Sequence, residues 1–140
     1  MMKRVATTGF VIWLLATIAL RLGGQWIINP ASTAAVAALL AISAPAMFYL
    51  PRRIFAGLGL APDRYAAAGI ALVAPGMILD TISAIWFPQV FPNMPADAAG
   101  LFGGWLLFCN VFALLGASTG ARAVSTPQLH NAPTPNQLGN

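Results

Sequence analysis

Charge is the scarcest thing in this sequence. Of 140 residues, seven are Lys or Arg and three are acids, Asp63, Asp80 and Asp97. There is one cysteine, Cys109, and one histidine, His130. A lone cysteine inside an apolar run excludes a disulfide framework within the chain and a cysteine metal site. A lone histidine in a polar tail excludes a multi-histidine centre. The three carboxylates are far apart in sequence, and no Ser/His/Asp set or phosphate-cradling glycine loop is visible. The chain therefore has few means for acid–base or nucleophilic chemistry. The expectation is a protein that is not an enzyme, with no metal and no cofactor.

What is abundant is apolar. Hydrophobic residues make up 59% of the chain and charged ones 7%, with a mean hydropathy of +0.77. Soluble domains carry about 25% charged residues. A soluble chain of this length could not hide so much apolar surface in one core, whereas a bilayer covers it. The net charge of +4 does not point to nucleic acid. The basic residues are few, scattered and mostly placed at the ends of apolar runs, which is the pattern of membrane topology signals.

A membrane helix needs about 20 mostly apolar residues. Four runs qualify, at about 6–28, 32–50, 65–87 and 98–117. The expected fold is an all-α integral membrane four-helix bundle. It forms one transmembrane domain, 1–122, followed by a polar tail, 123–140, rich in Pro and Asn and expected to be disordered. The breaks carry turn and capping chemistry. Ser32 or Thr33 can cap the second helix and Asp63 the third. Pro95 and Asp97 suit the start of the fourth.

Lys3, Arg4, Arg52, Arg53, Arg64 and Arg122 all fall on one side of a four-span chain. The loops at 29–31 and 88–97 carry no Lys or Arg. The positive-inside rule then places both termini in the cytoplasm. Trp26, Trp86 and Phe91 fit an outer aromatic belt, and Tyr49, Phe55 and Tyr65 an inner one. The rival reading of the first twenty residues is a cleavable signal peptide. "TIA" at 17–19 is a poor cleavage site, and bulky apolar residues continue past it.

Five polar residues inside the spans are the candidate site: Arg21, Asp80, Gln25, Thr17 and Asn110. Arg21 and Asp80 each lie fifteen residues into an outward-running span, counted from Ala6 and Tyr65. An unpaired charge in the bilayer costs roughly 3 kcal/mol, so an Arg21–Asp80 ion pair is expected. Thr17, Arg21 and Gln25 form one stripe at a spacing of four. On the third span Gly69, Gly76 and Ser83 repeat every seven, with Val73, Asp80 and Phe87 between them, a seam suited to close packing. Asn110 matches Ser43 in depth and reads as interhelical glue. "GLFGG" and "GASTG" are literal GxxxG matches and are expected to be packing faces. Gly9 to Trp26 recurs as Gly69 to Trp86, a spacing that chance explains as well as a duplication does.

Two functional readings follow, the first the leading one and the second its alternative. One is a non-enzymatic accessory or structural membrane component, packed with copies of itself or a larger membrane complex. The other is a small four-helix transporter that uses the Arg21/Asp80 level as its substrate or ion site.

At "RLGGQW" and "PGMILDTISAIWFPQVFPNMPADAAGLFGGWLL" the chain resembles a family of small bacterial four-span membrane proteins, the domain of unknown function numbered 5367. The resemblance covers about residues 5–118, and "PGMILD" to "FPN" is its most specific part. It implies a multi-pass protein of the bacterial inner membrane and carries no residue roles. In size and span number the chain also looks like small multidrug transporters. Those carry an essential acid in the first span, where this sequence has Arg21 and no acid.

Overall fold

The computed structural model describes residues 1–122, and the expected tail lies outside them. Four long helices, α1 (Met2–Ile27), α2 (Thr33–Gly57), α3 (Tyr65–Ile85) and α5 (Ala99–Arg122), are joined by short turns and by one-turn helix α4 (Phe87–Val90). Each long helix is apolar and long enough to cross a membrane. The four expected spans are all present, with shifted ends. The chain is a multi-pass membrane protein by this criterion.

The shifts have local causes. α1 starts four residues before the expected span, because Lys3 and Arg4 continue the helix instead of preceding it. α2 runs on through Pro45 and Pro51 and carries Arg52 and Arg53 within it. The Arg52 side chain lies back on the bundle: its Nε donates to the Gly116 carbonyl at 2.9 Å and its guanidinium sits over the Phe48 ring. α3 stops at Ile85, with Trp86 out of helical backbone, because Pro88 has no N–H to give the Ala84 carbonyl and its ring clashes with that carbonyl in a continued helix. Proline then sits in the first turn of α4, where its missing N–H costs nothing.

Ser32 caps α2 as expected, accepting from the Ala35 amide at 3.2 Å. Asp63 does not cap α3; it lies inside a 3-10 turn, Pro62–Arg64, that leads into the helix. Asp97 lies in the first turn of the corresponding 3-10 turn before α5, Ala96–Ala98.

Packing does not follow chain order. α3 packs against α1 and α5, and α5 also packs against α2, while α1 and α2 hardly touch. α1 and α3 run parallel, with Gly9 against Leu72 and Trp13 against Gly76, so residues 63 apart share a level. The small residues of the third span serve this packing. Gly69, Gly76 and Ser83 are buried, Gly69 facing Ala117 of α5 and Gly76 facing Trp13 of α1. Of the two GxxxG stretches, only "GASTG" packs: a methyl on Gly116 would collide with the Phe48 backbone of α2. Around Gly100, Gly103 and Gly104 a methyl would meet nothing.

Two apolar clusters close the bundle near its ends. At the end where α3 stops, Phe87, Phe91 and Phe102 stack with ring centroids 4.8–5.5 Å apart, joined by Leu20, Ile28, Met94 and Ala98. At the other end Phe55, Val5, Leu60, Ala68, Leu72 and Ala117 form a second cluster. Phe91 and Phe55 are thus core residues, both 0% exposed, and not belt residues. Trp26, 81% exposed, Trp86 and Tyr49 do sit on the outer surface of the bundle.

Backbone contact at Gly116 leaves no room for a side chain, and forcing one into a packed contact costs about 1–3 kcal/mol. Gly116→Val is expected to lower the melting temperature in detergent markedly, whereas Gly100→Ala leaves it unchanged or raises it. Thermal unfolding followed by circular dichroism checks both.

Candidate functional site: a carboxylate at a central cavity

Between the two apolar clusters the four helices line a partly open cavity of about 130 Å³. Its wall is almost wholly apolar, with residues such as Ile12, Leu20, Met47, Leu72 and Phe102. The polar groups on it are few: Asp80 of α3, Thr17 and Trp13 of α1, and Asn110 of α5, with Cys109 beside it. The local reason is the seam on α3. Trp13 packs against Gly76, and Asp80 one turn on receives the indole N–H at 2.8 Å. Asn110 also neighbours Asp80, and its amide donates to the Leu106 carbonyl at 3.0 Å.

The expected Arg21–Asp80 pair does not form. Arg21 is exposed, and its guanidinium donates to the backbone carbonyls of Gln89 and Val90. Those carbonyls end α4 and have no helical partner, and a cation is favourable at a helix C-terminus. The register explains the miss. With residues 63 apart at one level, Asp80 is level with Thr17. Arg21 lies four residues further out, about 6 Å along the axis. Counting the first span from Ala6 instead of Met2 hid that turn of helix.

The stripe of Thr17, Arg21 and Gln25 is therefore divided. Thr17 lines the cavity. Arg21 and Gln25 hold the segment after α3 against α1. Asn93 in that segment donates to the Gln25 side-chain oxygen at 2.6 Å and to the Leu20 carbonyl at 2.9 Å. Asn110 is near Asp80, and the Ser43 hydroxyl, at a similar depth, accepts from the Trp105 indole at 2.8 Å. Among the described residues no group of three or more His, Cys, Asp or Glu could hold a metal ion.

Trp13 and Asn93 escaped the reading of the sequence. A signal for Trp13 was present: an indole N–H deep in a span needs an acceptor, and Asp80 is the sole acid of the four runs. Asn93 gave no such signal, because an asparagine between two prolines reads as a turn residue.

A family model described as "Family of unknown function (DUF5367)" matches residues 27–123. The chain belongs to this family. The match takes in Asp80, Asn93 and Asn110 and begins after Trp13, Thr17, Arg21 and Gln25, so the "RLGGQW" stretch lies outside it. No curated protein matches the chain, and no solved structure does.

Separate partners for Arg21 and Asp80 mean separate energetics. The destabilisations caused by Arg21→Leu and Asp80→Leu are expected to add in the double variant to within about 0.5 kcal/mol. Trp13→Phe and Asp80→Ala, which remove the donor and the acceptor of one hydrogen bond, are expected to couple by about 0.5–3 kcal/mol. Equilibrium unfolding of the four single and two double variants in mild detergent measures both terms. Strong coupling of Arg21 with Asp80 would restore the pair.

Proposed function

Taking membership of a family of unknown function as the premise, we propose that the protein is a non-enzymatic carrier of the bacterial inner membrane. It binds a small organic cation at Asp80, and both termini lie in the cytoplasm. The orientation rests on the basic residues: Lys3 and Arg4 open α1, Arg52 and Arg53 close α2, and Arg64 precedes α3. All of them fall at the same end of the bundle.

The observation that carries the reading is Asp80. It is the only acid in the spans, and no cation of the described chain accompanies it. An ionisable group kept inside a membrane at that cost is a functional site by default. The cavity beside it is close to the size that holds one benzene-sized molecule. Its wall offers too few oxygens for a bare metal cation, which takes about six or more. An ammonium group needs fewer. It can bond to the free Asp80 lone pairs and the Asn110 carbonyl while its carbon atoms meet the apolar wall. The apolar clusters on both sides keep water away from the charge. The segment latched by Arg21 and Asn93 forms the outer of the two closures.

An accessory role is the second reading, and one feature favours it. α2 packs mainly on α5 and turns Ala34, Ala38 and Ala41 outward. Small residues at that spacing allow close approach of another membrane helix, from a second copy or a larger complex.

Calorimetry in lipid nanodiscs separates the two. Propylammonium is expected to bind saturably and propanol not at all. Losing a hydrogen bond to a charged group is worth about a tenfold change or more, so Asp80→Asn is expected to weaken binding at least that much. A protein that binds no amine would contradict the carrier reading and leave the accessory one.

A further inference from the structure

Asp80 and Asn110 line a second space as well as the central cavity. A groove of about 450 Å³ lies between α3 and α5, bounded by Met77, Thr81, Ile85, Gly103 and Leu107 among others. Ile85 is 66% and Leu107 59% exposed, so the groove is open on the side that faces lipid. Only Asp80, Leu106 and Asn110 border both spaces. The wall between the cavity and the groove is therefore polar where it would be cheapest to keep it apolar. Gly103 leaves the groove floor bare, with nothing within 4 Å of where a methyl would stand.

We infer that the ligand reaches Asp80 sideways from the bilayer through the α3–α5 groove, and that it is an alkylammonium amphiphile, its head at Asp80 and its chain lying in the groove. This rests on the cation reading of Asp80 and adds the route and the shape of the ligand. Charge complementarity sets the direction of the molecule. The one carboxylate stands where a mostly apolar trough meets the central cavity, so a cationic head goes in and an aliphatic chain trails out. Volume sets the chain. The central cavity alone has room for about six non-hydrogen atoms, whereas the groove is several times larger and has no outer wall. A chain lying in it exchanges lipid for protein at little cost, since lipid tails are as apolar as leucine. Long chains are therefore tolerated, and their affinity measured from water follows their transfer out of water.

The test is a series of n-alkylammonium ions, from propyl to dodecyl, titrated into the full chain in nanodiscs. The affinity is expected to rise by about fourfold for each added methylene, the transfer ratio out of water, with no cut-off. Gly103→Leu fills the groove floor without touching Asp80. It is expected to leave propylammonium binding unchanged and to remove the gain of the longer chains. A cut-off just beyond the length that fits the central cavity would overturn the lateral route and leave the site at Asp80 standing. So would a Gly103→Leu protein that still binds dodecylammonium as tightly as before. Failure of every amine, propylammonium included, would remove the cation reading itself and this inference with it.

Discussion

A carboxylate inside a bilayer costs roughly 3 kcal/mol when nothing compensates it, and much of this structure is arranged around how Asp80 meets that cost. Its compensation is an indole N–H and not a cation. Trp13 reaches it at 2.8 Å, packed against Gly76 of the same helix face. Trp13 in turn fixes the register of α1 on α3, which sends Arg21 one turn beyond Asp80. An arginine at the level of Asp80 would neutralise the site. Displaced outward, it holds the carbonyls of Gln89 and Val90 and closes that end of the bundle. One turn of helix thus separates a structural ion pair from an acid that faces a cavity with an indole N–H and no cation beside it.

The two apolar clusters give that acid its setting. The Phe87, Phe91 and Phe102 rings seal one side, and the cluster around Phe55 seals the other. The helices could close the space between them with bulky side chains at every level, yet the middle is left hollow. Close backbone approach at Gly9 and Gly116 draws α1 and α2 onto their neighbours at the basic end. A bundle tight at its ends and open at its centre is what a binding site in a membrane requires, because water is excluded without filling the space the ligand takes.

Much of this was legible in the sequence, and what was not has a physical reason. Long apolar runs are strong signals, so four helices, the Ser32 cap and the small-residue seam of α3 could be read directly. Helix ends were less clear. Lys3, Arg4, Arg52 and Arg53 look like terminators in a hydropathy reading, yet charged residues continue a helix readily where they project into water or lie back on the bundle. That shift of four residues at the start of α1 was enough to misassign the partner of Asp80. Order of packing was also hidden. Neighbours in sequence usually pack together, but α1 and α2 hardly touch, and only the side-chain contacts of α3 and α5 decide that. GxxxG matches cannot tell a packing face from an open one, as Gly116 and Gly100 illustrate.

The claim on which the account depends is that the partner of Asp80 is Trp13. Solid-state NMR of the full chain in lipid bilayers reads this directly. The dipolar coupling between the Asp80 side-chain carboxyl carbon and nearby nitrogens reports which donor lies beside it. A measurable coupling to the Trp13 indole nitrogen and none to the Arg21 guanidinium is the expected result. A strong coupling to the Arg21 guanidinium, with none to the indole, would contradict it and return Asp80 to a structural ion pair.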